Sequence, residues 1–244
     1  MDVPRLSEVL SNPRARWRQR VGEHWHRLWW RQCVLCASTR DPVGLCAGCR
    51  RDLPLCLSAC PRCGLPDTEG AICGRCLKHP PAFEVTTALY RYAYPLDRLI
   101  HRLKYGADFA VARALGACAV RTVPRPPVDF IVPVPLHASR LAERGFNQSL
   151  ELARPLARAW QCELLIRDVG RIRATQDQVG LPWRARQKNL RKAFACRVRL
   201  EGAHVLLVDD VMTTGATLDA LAQCLREAGA ATVRNLVMAR TPMR

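Results

Sequence analysis

Two adjacent carboxylates, Asp209 and Asp210, follow the apolar run Val205 to Val208 and lead into Val211, Met212, Thr213, Thr214, Gly215, Ala216 and Thr217. Each residue type in this run has a chemical use. The carboxylates accept hydrogen bonds from the 2′ and 3′ hydroxyls of a ribose while Mg²⁺ bridges nearby oxygens. Small residues let the backbone approach a ligand closely, and threonine hydroxyls add donors. The N–H groups of a turn that opens a helix present partial positive charge to a phosphate. A plain βα turn with two solvated aspartates explains either carboxylate alone but not the whole run. The chemistry on offer is recognition of a ribose-phosphate.

A second group of candidates lies upstream, where Asp129 to Pro135 is followed by a loop carrying His137, Arg140 and Arg144. Guanidinium forks match phosphate oxygens bidentately, so two arginines four apart after a strand suit a pyrophosphate. The alternative is a helix with two solvated arginines, and His137 reads as a turn or packing residue. The stretch 171–190 carries Arg171, Arg173, Gln178, Arg184, Arg186, Lys188 and Asn189. It is either a basic lid over a polyphosphate or a solvated loop.

Four CxxC pairs make up the third group: Cys33/Cys36, Cys46/Cys49, Cys60/Cys63 and Cys73/Cys76, with nine residues between the pairs of each half. A CxxC turn aims two thiolates at one tetrahedral ion, so eight ligands make two closed Cys₄ structural zinc sites. The sequential partition is the simpler one, and an interleaved partition also fits the spacing. Redox cysteines are the competing reading. Cys56 is the odd one out. A segment this poor in apolar residues depends on zinc to fold, at roughly 10 to 16 kcal/mol per site.

These residues need a scaffold. Val205 to Val208 is a strand buried on both faces of a parallel sheet. Leu218, Leu221, Ala222 and Leu225 then set a helical period that closes near Gly229. Strands are expected at 86–92, 129–135, 162–166 and 231–239, with helices at 96–106, 109–120 and from the arginine loop through 160. His79-Pro80-Pro81 marks a linker. The expected organisation is a basic, tryptophan-rich helix within 1–32, a double zinc ribbon at 33–78, and an α/β domain at 84–244. The apolar stripe Trp17, Val21, Trp25, Leu28 and Trp29 either docks on the protein or a subunit, or meets a membrane surface or nucleic acid.

The chain has 244 residues, a formal charge of +17 and 49% hydrophobic residues. That is enough for a real core, and the charge points to polyanionic partners. No stretch of about 18 apolar residues occurs, so a membrane-spanning helix is excluded. Arginines interrupt every apolar run before Cys33, which leaves no signal-peptide core. The cytoplasm is the expected compartment.

VLLVDDVMTTGAT resembles the phosphoribosyl-pyrophosphate (PRPP) signature of type I phosphoribosyltransferases. Together with the ribbons, LKYGAD at 103–108, PVPLHASRLAERGFNQS at 133–149 and QDQVGLPWRARQKNLRKAF, it is similar to the ComF family of competence-associated, phosphoribosyltransferase-like proteins. The resemblance covers Cys33 to Thr241. It implies a type I phosphoribosyltransferase fold, Mg²⁺-dependent PRPP binding by Asp209, Asp210 and Val211 to Thr217, and a link to DNA uptake. If the chain is an enzyme, the catalytic candidates are Asp209, Asp210, Arg140 and Arg144. The alternatives are a non-catalytic single-stranded-DNA-binding competence factor and a PRPP-responsive regulator. The resemblance supplies no acceptor.

Overall fold

The computed structural model describes residues 32–38, 41–173 and 192–242. The helix expected within 1–32 lies outside them, as does the basic stretch beyond 173. Five strands form the main sheet: β1 (Val85–Arg91), β2 (Phe130–Pro133), β3 (Glu163–Leu164), β6 (His204–Met212) and β7 (Thr232–Arg240). Their order is β1-β7-β6-β2-β3, with every neighbouring pair parallel. A separate antiparallel pair joins β4 (Val169–Arg171) to β5 (Phe194–Cys196).

Parallel strands covered on both faces are apolar throughout, and β6 shows why. Its Leu206 and Val208 enter one hydrophobic cluster, while Val205 and Leu207 enter another on the opposite face. The first cluster takes in α3 (Leu96–Gly106), α4 (Phe109–Thr122) and α6 (Gln148–Trp160); the second takes in α7 (Ala216–Glu227). Among the described residues no helix is long and apolar enough to cross a membrane.

The ribbon, with its short helices α1 (Ala47–Arg51) and α2 (Gly74–Lys78), straddles this sheet. Cys33, Val43, Leu45, Cys49 and Leu53 join the first cluster, and Cys60, Cys63, Cys76 and Phe83 join the second. Between the halves, Cys56 N–H donates to Leu89 and Arg91 N–H donates to Pro54, so this connector covers the open edge of β1.

Three expectations change in detail. The carboxylates lie inside β6, which runs on to Met212, because β7 keeps pairing with it through Arg240. The helix expected to run from the arginine loop to Trp160 is two helices, α5 (Ala138–Arg144) and α6. Gly145 ends α5 at a φ of +77°, a left-handed conformation that favours glycine, and Asn147 caps α6. The strand expected at 162–166 shrinks to two residues.

Candidate functional site

β2 and β6 are neighbours, so the loops leaving their carboxyl ends meet above the sheet. This is where open α/β sheets bind ligands. Asp209 is half-buried and Asp210 is 3% exposed. Ser149, fully buried in the first turn of α6, donates its hydroxyl to Asp209 Oδ1 at 2.8 Å, and the Asp210 N–H donates to the same oxygen at 2.9 Å. Lys104 Nζ, from the last turn of α3, stands 2.6 Å from Asp210 Oδ2.

The electrostatics follow from this crowding. Burial pushes the Asp209 pKa up from 3.8 to about 7, and the Asp210 carboxylate pushes the same way. Ser149, Lys104 and the Asp210 N–H work against that rise without cancelling it. Burial alone lowers the Lys104 pKa, but Asp210 and Asp209 outweigh it and the result is a rise. Arg144 acts on Lys104 in the opposite sense, as a like charge close by.

Past Met212 the chain turns through Thr213 and Thr214 to Gly215, whose φ of +80° opens α7. A Cβ there would also meet the Met212 side chain at 2.4 Å, so both backbone and space call for glycine. Thr213 is exposed, Thr214 and Thr217 are half-buried, and the Met212 and Ala216 side chains belong to the second core cluster. The threonines therefore offer hydroxyls, whereas Met212, Gly215 and Ala216 offer backbone only. In α7's first turn the Ala216 N–H donates to Thr214 Oγ1 at 3.4 Å, and the N–H groups of Thr217 and Leu218, which have no acceptor within the helix, face the end where an anion would sit.

On the β2 side, His137 caps α5: its Nδ1 accepts from the Ser139 N–H at 3.3 Å, the role of a turn residue. Asn147 donates to the Val134 carbonyl at 3.0 Å and accepts from the Ser149 N–H at 3.0 Å, which fixes where Ser149 stands. Arg144 donates to Gln148 Oε1 at 2.6 Å and lies over the Tyr105 ring at 5.8 Å. It therefore joins Lys104 and the carboxylates at one site. Arg140 is half-buried in the first turn of α5. Lys104 and Ser149 contact the carboxylates, which side-chain types alone do not reveal. Both sit inside the LKYGAD and GFNQS stretches of the sequence, and that is their one signal.

The cysteines sort into Cys33, Cys36, Cys46, Cys49 and Cys60, Cys63, Cys73, Cys76, each with its four sulfurs within 4.8 Å of one another. The partition is sequential, and Cys56 stands outside both sets. A tetrahedral ion with Zn–S bonds of about 2.3 Å requires sulfurs about 3.8 Å apart. Cys36 to Cys46 measures 3.8 Å and Cys63 to Cys73 measures 3.6 Å, so the donor sets fit zinc. Backbone N–H groups of Cys49 and Cys73 point at Cys46 Sγ and Cys60 Sγ, as befits thiolates.

Comparison with known proteins agrees with both halves. Residues 25–77 match a double zinc ribbon domain, and residues 149–244 match a phosphoribosyl transferase domain. The chain is 39% identical over 220 residues to DNA utilization protein YhgH of Salmonella typhi, covering 85% of this chain and 97% of that one. Competence protein F of Haemophilus influenzae is 34% identical over 214 residues, covering 81% and 92%. Competence protein ComFC of Bacillus subtilis is 29% identical over 213 residues, covering 81% and 84%.

Proposed function

The chain belongs to the ComF family, with a phosphoribosyltransferase-type sheet and two structural zinc sites, and on that premise we propose that it binds PRPP with Mg²⁺ between Asp209/Asp210 and Thr213 to Thr217. One observation carries the reading. Two carboxylates at the end of a central parallel strand, ordered by Ser149 and Lys104, abut a threonine-rich turn at a helix N-terminus. The carboxylates are the hard oxygen donors that Mg²⁺ takes, and the ribose hydroxyls need such acceptors.

In this reading Val211, Met212, Gly215 and Ala216 contribute backbone, and the threonines contribute hydroxyls to the 5′-phosphate. Arg144, Arg140 and Lys104 face the pyrophosphate, where their charge stabilises it as it leaves C1 of the ribose toward an incoming nucleophile. Positioning and electrostatics supply the catalysis, and little acid–base chemistry falls to the protein. The chain acts in the cytoplasm in DNA uptake, alongside its competence relatives.

The +17 charge supports a second reading, a single-stranded-DNA-binding factor for which PRPP is a signal. Calorimetric titration of the zinc-loaded protein with PRPP, with and without Mg²⁺, tests the first reading. Micromolar, Mg²⁺-dependent binding is expected, lost in Asp210→Ala and in the shape-preserving Asp210→Asn. Retained affinity in both variants would remove Asp210 from the site. A single-stranded oligonucleotide that displaces PRPP, with affinity falling steeply with salt, would favour the second reading.

A further inference from the structure

The turn that would hold the phosphate is fastened from behind by two arginines, and both lead to the second zinc site. Arg240, at the end of β7, is 0% exposed. Its Nε donates to the Cys63 carbonyl at 3.0 Å, inside the Cys60/Cys63 knuckle. Its Nη1 donates to the carbonyls of Met212, at 3.2 Å, and Thr213. Arg75 lies between the ligands Cys73 and Cys76, and its Nη1 donates to the Thr214 carbonyl at 2.8 Å. Three successive carbonyls of one turn are thus held by two guanidinium groups. In a planar trans peptide the N–H points opposite to its C=O. Drawing back the carbonyls of residues 212, 213 and 214 therefore turns the N–H groups of Thr213, Thr214 and Gly215 away from the ribbon, toward the ligand side.

The pull is specific to one half of the ribbon. Among the described residues, no hydrogen bond runs from the first quartet to this turn; the first half is bonded to α3, through Arg102 and the Val34 carbonyl. Just past the second half, where the linker ends, the Ala82 N–H adds one more tie by donating to Asp219 Oδ1 in α7 at 2.8 Å. Burying a guanidinium is costly unless its surroundings compensate it. A zinc held by four thiolates carries net negative charge, so the loaded site beside Cys63 offers that compensation.

We propose that the second zinc site and the phosphate turn form one unit, in which Arg75 and Arg240 are positioning residues that transmit the metal's hold on Cys60, Cys63, Cys73 and Cys76 to the N–H groups of Thr213, Thr214 and Gly215. The proposal rests on the reading of this turn as a phosphate cradle. Linkage makes it reciprocal: if zinc here tightens PRPP binding, PRPP raises the affinity for this zinc by the same factor, and the tighter hold shows as slower release.

The experiment follows zinc release from the full chain into a colorimetric chelator, with Mg²⁺ constant and PRPP absent or saturating. Release is expected in two phases, one slowed about fivefold or more by PRPP and the other unchanged. Arg75 is half-buried, so Arg75→Ala is the variant of choice; Arg240→Lys is second, since removing a buried guanidinium risks the fold. Arg75→Ala should weaken PRPP binding by about tenfold and abolish the protection of zinc, with Arg75→Lys restoring part of both. A change that merely loosened the protein would speed zinc release without erasing its dependence on PRPP. PRPP binding with no effect on either phase, or unaltered affinity in Arg75→Ala, overturns the proposal. Failure of the unaltered protein to bind PRPP overturns instead the site reading beneath it.

Discussion

Asp209 is held in a conflict that a ligand resolves. Burial and its neighbour Asp210 raise its pKa to about 7, while Ser149, Lys104 and a backbone N–H favour the charged form. A raised carboxyl pKa means the native state holds the proton more tightly than the unfolded chain. This group's contribution to stability is thus full below the ordinary value of 3.8 and is lost as pH rises through about 7. A divalent cation reverses that penalty, because it needs the carboxylate. The melting-temperature gain given by Mg²⁺ and PRPP should therefore grow from pH 5 to pH 8, and Ser149→Ala, which removes a hydrogen bond to the charged form, should move the midpoint of that growth upward. Thermal shift across the pH series checks both; a gain that is flat with pH would place the ligand away from Asp209. The carboxylates and threonines were legible in the sequence because they are consecutive, and consecutive residues declare their own geometry. Lys104 and Ser149 were not, because they reach the site from α3 and α6, and the contact exists only once the sheet is assembled.

The elements were legible wherever hydrophobic period and length spoke together, as in β6, α3 and α7. They were less so where a short break decides the geometry. Between Arg144 and Gln148 the sequence reads as one amphipathic helix, yet Gly145 turns left-handed and Asn147 restarts the helix in a new direction. The break has a purpose: it aims the first turn of α6, and so Ser149, at the end of β6. Asn147 does this with two hydrogen bonds, one to the Val134 carbonyl and one from the Ser149 N–H. Loss of a helix N-cap costs about 1 kcal/mol, which in a chain of this length lowers the melting temperature by about 2–4 °C. Asn147→Ala is expected to show that loss together with a larger fall in PRPP affinity, since Ser149 loses its placement. Asn147→Asp keeps the acceptor for the Ser149 N–H and should recover the cap but not the bond to Val134. Differential scanning calorimetry beside a PRPP titration separates the two effects, and an affinity that follows stability alone would deny the break its role in aiming Ser149.

At the scale of the molecule, the spacing of eight cysteines announced two zinc sites but not where they would sit. CxxC pairs specify local turns, while docking depends on which apolar residues the turns leave exposed, a property of the assembled surface. The ribbon closes over the edge of β1 and places one quartet on each side of the sheet, with Cys33 and Cys49 in one core cluster and Cys60, Cys63 and Cys76 in the other. Zinc is therefore built into both cores. Without metal, each cluster would hold cysteines whose spacing was set by an ion, and burial raises the pKa of Cys49 and Cys76 so that they revert to neutral thiols. Binding of structural zinc is worth on the order of 10 kcal/mol per site, comparable to the whole stability of a domain. Stripping the metal with a strong chelator should consequently lower or abolish the single cooperative transition of the full chain, with loss of amide protection in β6 as well as in the ribbon. Calorimetry and hydrogen exchange on the stripped protein read this directly. If β6 kept its protection while only residues 33–78 exchanged, the ribbon would be an appendage resting on a self-sufficient sheet rather than a part of its two cores.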